Sequence, residues 1–168
     1  IDLTLPTDPV AIEDGHRMFR AYGCAECHGA DGGGRELMTE GPAYIAPPNI
    51  TAIATVWPTS SFDLAVRHGV SSSGRPYILM PAHEYWGLDD ESLARIVAYI
   101  RTLPPVDRSN PPCEVYPLGH FLHAIDAFPL VPAERVDHHA RRPPLGVRGT
   151  LEFGQWIGRA CTGCHGDH

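Results

Sequence analysis

Two cysteines three positions apart, followed at once by a histidine, constrain this chain more than any other feature: Cys24-Ala25-Glu26-Cys27-His28. The spacing is that of c-type haem attachment. Thiols so placed reach the two vinyl groups on one edge of a porphyrin and form thioethers, and the adjacent imidazole lies under the ring, where it binds the iron. Cys161-Thr162-Gly163-Cys164-His165 repeats the pattern. At this chain's Cys and His frequencies, one accidental match is expected on the order of one time in a hundred, and two far more rarely. The competing reading is zinc, with Cys24, Cys27, Cys161 and Cys164 as a four-thiolate tetrahedron. Zinc would need neither histidine, and the two pairs stand far apart for a compact zinc module. A thioredoxin-like dithiol would sit in a βαβ pattern, which neither motif has around it.

A haem iron needs a sixth ligand or an open site. Met80, in Tyr77-Ile78-Leu79-Met80-Pro81, is the best candidate, a methionine on a loop between two expected helices, with Pro81 stiffening the turn. A thioether is a soft ligand that favours ferrous iron and raises the reduction potential, as an electron carrier requires. The rivals are Met18, on the first helix and too near the motif to swing across the ring, and Met38, in the Gly-rich loop after it.

The surroundings suit a small helical shell around such a group. Asp8 caps a helix whose first position is Pro9; Ile12, Gly15, Phe19 and Tyr22 follow at helical spacing, and Gly23 ends it just before Cys24. Residues 29–58 are rich in Gly and Pro and read as loop. A short helix is predicted from about Ser61 to His68, with Ser60 and Asp63 as a capping pair and Gly69 as its stop. The clearest helix runs from Asp90 to about Thr102. Asp89 caps it, Leu88 and Leu93 form a hydrophobic staple, and Leu93, Ile96, Val97 and Ile100 share one apolar face. Three short helices bury little by themselves, so a buried haem is the expected core.

Nine of the 17 prolines fall between Pro104 and Pro144, which divides the chain into a compact front half and an irregular rear half. The net charge of −7, with no Lys/Arg cluster, argues against nucleic acid. No run of roughly 18 apolar residues marks a membrane span, and Ile1 to Thr7 lack the character of a signal peptide. The expectation is an exported, mature form, periplasmic or on the outer face of the cytoplasmic membrane, with membrane association only through a partner or a missing anchor.

Gly15 and Phe19, the run Gly23 to Gly29, and Pro48-Asn49-Ile50-Thr51 together resemble class I cytochrome c domains. So do Arg67-His68-Gly69, Gly74-Arg75-Pro76, Leu79-Met80-Pro81 and Leu88 through Pro105. The likeness is nearest to cytochrome subunits of bacterial periplasmic dehydrogenases and other multihaem electron-transfer complexes, and it covers Val10 to Val106. It implies an all-α fold of short helices and long loops around haem c, with the N-terminal helix crossing the C-terminal one and Gly15 and Phe19 meeting Tyr99. It also implies His28 and Met80 as axial ligands, Arg75 as a propionate partner, and a dehydrogenase or membrane electron-transfer complex as redox partner.

The rear segment, Pro132 to His138 and then Gly154 to Gly166, resembles the linker and opening of a second such domain. The expected organisation is a cytochrome c domain over 1–106, a Pro-rich linker over 107–150, and the start of an incomplete second domain over 151–168. A second haem, held by Cys161, Cys164 and His165, is expected there, although the sequence runs only to His168. The chain is part of a longer multihaem subunit, or the second haem takes a distal histidine from His120, His123, His138, His139 and His168, or that motif carries no haem. Cys113 is an odd thiol with no assigned role. An electron carrier is the main reading; a dihaem peroxidase or thiosulfate-oxidising enzyme, with one open or ligand-switching haem, is the alternative.

Overall fold

A computed structural model of the chain describes residues 1–140, 149–155 and 158. The first motif's setting is built by two helices that cross. Helix α1 spans Pro9–Ala21, and the Asp8 carboxylate caps it by accepting from the Ala11 amide at 3.0 Å. Helix α5 spans Asp90–Ile100, with Asp89 accepting from the Ser92 amide at 2.8 Å. Each of these N-terminal amides would otherwise lack an acceptor. The backbones meet at Gly15, where an added Cβ would run into the Arg95 carbonyl. Only glycine permits that approach. Phe19 reaches Tyr99 with ring centroids 5.5 Å apart, as the resemblance implies, whereas Gly15 faces the Arg95–Ile96 backbone, and it is His16 that stacks on Tyr99 at 4.6 Å.

Leu88, Leu93, Ile96, Val97 and Ile100 are buried against Phe19, and Ile50, Ala54, Phe62 and Tyr85 complete the cluster. The staple residues and the apolar stripe of α5 are thus where their spacing predicts. Between them lie α2 (Cys24–His28), α3 (Thr59–His68) and α4 (Ala82–Tyr85).

The start of α3 differs from the expectation. The helix opens at Thr59 after Pro58, and no side chain caps it. Asp63 is not half of a capping pair with Ser60; it lies buried and accepts from Arg67 Nη1 at 2.6 Å. Arg67 is fully enclosed, and its other terminal nitrogen stands 2.8 Å from Asp90 at the start of α5, an ion pair that ties the two helices. A guanidinium with no exposed surface needs carboxylates on both arms, and that demand outweighs a cap.

Residues 107–140, most of the described part of the expected Pro-rich linker, run across the front region and pair with it. Strand β1 (Ala43–Tyr44), within the stretch read as loop, pairs antiparallel with β2 (Glu114–Val115). Helix α6 (Pro117–Ala124) follows, with Pro117 at its first position and Gly119 seated on the Pro42 carbonyl. A 3-10 turn at Pro132–Arg135 packs near α4. Among the described residues the regular elements are helices apart from this short ribbon, joined by long turns and loops. Residues 151–155 are again helical; Cys161, Cys164, His165 and His168 lie outside the described residues.

Two tests follow from this frame. Gly15→Ala gains about 1 kcal/mol of helix propensity in isolation, yet here it should destabilise the holoprotein by about 2 kcal/mol because the crossing is already at backbone contact; a denaturant midpoint equal to or above the parent's would contradict this. For the buried pair, burial pushes the Asp63 carboxyl up, but hydrogen bonding and charge, that of the Arg67 guanidinium among them, outweigh it and hold it below the usual carboxylate range. The pair therefore stabilises fully above the unfolded carboxylate value near about 4, and the contribution disappears as pH falls through the lower folded value. Arg67→Met should cost about 3 kcal/mol at neutral pH, with the gap narrowing in acid; chemical denaturation at several pH values reads both.

Candidate functional site

Gly23, at φ 73°, takes the left-handed turn that stops α1 and starts α2. The motif is thereby a single helical turn, with the two thiols at positions i and i+3 on adjacent faces. Cys24 packs against the hydrophobic cluster, and burial pushes its thiol up to about 12; burial moves Cys27 in the same direction. These surroundings favour neutral sulfur, and a thioether is neutral.

The His28 side chain is oriented from behind. Its Nδ1–H donates to the Pro48 carbonyl at 3.0 Å, which leaves Nε2 with its lone pair. Burial lowers its pKa, opposed in part by that hydrogen bond, so the imidazole is held neutral, the form that binds a metal. Pro48 is itself held by a network built on the Pro48–Thr51 run, whose distant partners the sequence alone did not reveal. The Asn49 carboxamide oxygen accepts from the Thr51 amide at 3.0 Å and the Thr51 hydroxyl at 2.6 Å. The Asn49 nitrogen donates to the Val106 and Arg108 carbonyls at 2.7 and 3.1 Å. On the other side Asn110 donates to the Pro47 carbonyl at 2.9 Å. A short Asn-Ile-Thr run after a proline was the available signal; its partners lie more than 50 residues on, and no local pattern names them.

Met80 borders the same cluster as Cys24. Met18 touches that cluster too, from α1, while Met38 is bridged to Ile45 through backbone bonds away from it. Tyr85 closes the region between α4 and α1, donating its hydroxyl to the Tyr22 carbonyl at 2.6 Å and meeting the Tyr22 ring edge-on. Arg75 is exposed in the turn before Met80, where its backbone amide donates to Ser71 Oγ at 3.1 Å.

The other histidines are dispersed. His120 is exposed on α6, His123 stands 3.8 Å from Glu134, His138 contacts His68, and His139 is exposed in a turn on Asp137. Cys113 is engaged with the Ala46 backbone, its sulfur accepting from the amide at 3.4 Å. Among the described residues, no three His, Cys, Asp or Glu side chains gather as a metal cluster. A haem fits these donors: two neutral thiols on one turn, a neutral imidazole fixed through its far nitrogen, and a thioether on the same apolar cluster.

The sequence profile of the cytochrome c family matches residues 12–104. A protein of Cereibacter sphaeroides described as a diheme cytochrome c-type is 31% identical over 112 residues, covering 58% of this chain and 38% of that protein. A nicotinate dehydrogenase subunit from Pseudomonas putida is 30% identical over 110 residues, covering 60% of this chain and 9% of that protein. The chain thus spans well under half the length of these curated relatives. With a helical fold, a crossing of α1 on α5 and a paired-thiol turn between them, the chain belongs to the cytochrome c family, which implies covalently bound haem c.

Proposed function

We propose that Cys24 and Cys27 hold haem c as thioethers, that His28 and Met80 are its axial ligands, and that the chain is an electron carrier within a larger redox assembly. When bound, the haem supplies a one-electron ferric–ferrous couple. The protein's part is to fix the donors and exclude water. Pro48 fixes the imidazole by accepting from Nδ1, and Met80 contributes a soft sulfur from the edge of a dry cluster, which favours the ferrous state. The carrying observation is that His28 is buried and bonded from behind by Pro48, while Met80 packs on the apolar cluster that Cys24 also joins. Both axial positions are then filled, so no coordination site is left for a substrate. Arg75, exposed beside the Met80 loop, is the proposed partner of a haem propionate.

The assembly reading rests on the relatives. One is described as a diheme cytochrome and the other as a dehydrogenase subunit, and both are much longer than this chain. A second haem at Cys161, Cys164 and His165, and electron exchange with a dehydrogenase or a membrane electron-transfer complex, fit that pattern. Bacterial c-type cytochromes are exported proteins, which supports a place in the periplasm or on the outer face of the cytoplasmic membrane. No helix among the described residues is long and apolar enough to cross a membrane, so attachment would come through a partner or an anchor elsewhere.

The test is Met80→Ala in the haem-loaded protein. The near-infrared sulfur-to-iron charge-transfer band should disappear, the reduction potential should fall, and ferric cyanide affinity should rise by roughly tenfold or more as an axial position opens. A parent protein that lacks the band and already binds cyanide as Met80→Ala does would remove Met80 from the ligand set and favour a catalytic haem.

A further inference from the structure

We propose that the segment from Asp126 to His138 is a brace for the Met80 loop, and that it determines how firmly the sixth ligand is held. The inference rests on Met80 being that ligand. The residue before it, Leu79, has φ 59°, a left-handed conformation that a branched side chain adopts only when its surroundings impose it. What imposes it comes from the rear segment: the Leu79 amide donates to the Leu130 carbonyl at 2.9 Å. Leu130 is buried, so its carbonyl is fixed and shielded from water. On its other side the loop hangs from the end of α3, where the Tyr77 amide donates to the Gly69 carbonyl at 2.7 Å. Met80 is thus suspended between α3 and the brace.

The brace is closed on itself near its start and fastened to the front region in the middle and at its far end. Near its start, Arg135 pairs with Asp126 at 3.0 Å and closes the segment on itself. In the middle, Ala133 is buried against Gly69, close to where Ala82 begins α4. A Cβ built on Gly69 would meet Ala82 at 2.9 Å and Ala133 at 3.3 Å, so the end of α3, the start of α4 and the brace meet with only hydrogen-sized room between them. At the far end, His138 Nδ1 lies 3.0 Å from His68 Nδ1, with the rings stacked at 5.3 Å, and its Nε2–H donates to the Ala133 carbonyl at 3.1 Å. His138 therefore latches the 3-10 turn onto the last residue of α3.

The physical consequence concerns the weaker axial bond. A thioether is a neutral, modest ligand, so its hold on iron depends on how much of its positioning is settled beforehand. If the brace loosens, Leu79 relaxes toward ordinary backbone, Met80 spends more time away from the iron, and the open population grows. Leu130, Ala133 and His138 are positioning residues in this sense, acting through the Met80 loop.

The test uses the full haem-loaded chain with two brace variants. Ala133→Leu wedges the junction apart, and His138→Ala removes the latch; Ile125→Ala, exposed at the C-cap of α6, is the control and Met80→Ala the floor. Three readouts are taken: ferric cyanide association, reduction potential, and hydrogen exchange at the Leu79 amide. The brace predicts that both variants bind cyanide roughly tenfold faster than the parent, have a lower potential and exchange faster at Leu79, with covalent haem content unchanged and the control unaffected. His138→Ala alone decides the matter if Ala133→Leu does not fold. Parent-like cyanide rates and potential in His138→Ala, with the charge-transfer band present in the parent, would overturn the brace and leave Met80 in place. A parent without that band would overturn both, and is distinguished by already matching Met80→Ala.

Discussion

The backbone contact between α1 and α5 is the constraint on which the rest depends. Because Gly15 lets the helices touch, Phe19 lies against the apolar stripe of α5, and the chain leaving α1 is delivered to the edge of the resulting cluster. Cys24 arrives there after a single glycine turn. Without that crossing the two thiols would project into water, where neutral sulfur gains nothing over thiolate. With it, burial favours neutral sulfur, and the same cluster receives Met80 from the α4 side. The order of cause runs from a missing side chain at Gly15 to the chemistry available at Cys24.

Around this centre the two proposed axial donors, His28 and Met80, are each governed by a second contact. The Pro48 carbonyl fixes His28, and Asn49 and Asn110 fix the loop that carries Pro48. Burial favours the neutral imidazole against the opposing pull of the Pro48 carbonyl, and that same hydrogen bond at Nδ1 raises the basicity of Nε2 toward a metal. In the Met80 loop the Leu79 amide is bound to the Leu130 carbonyl. The rear segment thus supplies hydrogen-bond partners to both loops, through residues 106–110 on one and 130–138 on the other.

Much of this was legible in the sequence wherever the signal is local. Asp8-Pro9, Asp89 and the Leu88/Leu93 pair mark helix ends by short-range rules, and α1 and α5 fall within two residues of their expected bounds. The Cys24–His28 motif carries its chemistry in its spacing. What could not be read is what depends on partners far along the chain. Asp63 looks like half of a capping pair until the enclosed Arg67 is seen to require it. Asn49 looks like loop until its carboxamide meets residues 106 and 108. Helix α6 was hidden by the prolines around it, although Pro117 is where a helix tolerates one. High proline content there signals an ordered path over the surface, with backbone groups paired to the front region, and composition alone does not distinguish that from a free linker.

The most direct test of the account is the intact mass of the denatured, haem-loaded protein beside that of Cys24→Ala/Cys27→Ala made in the same way. Thioether-bound haem survives denaturation, so the mass excess over the polypeptide counts covalent haems. The account predicts that the double variant has one haem fewer than the parent, whatever the motif at Cys161 and Cys164 contributes. A parent at the bare polypeptide mass, or an excess unchanged by the double substitution, would contradict it.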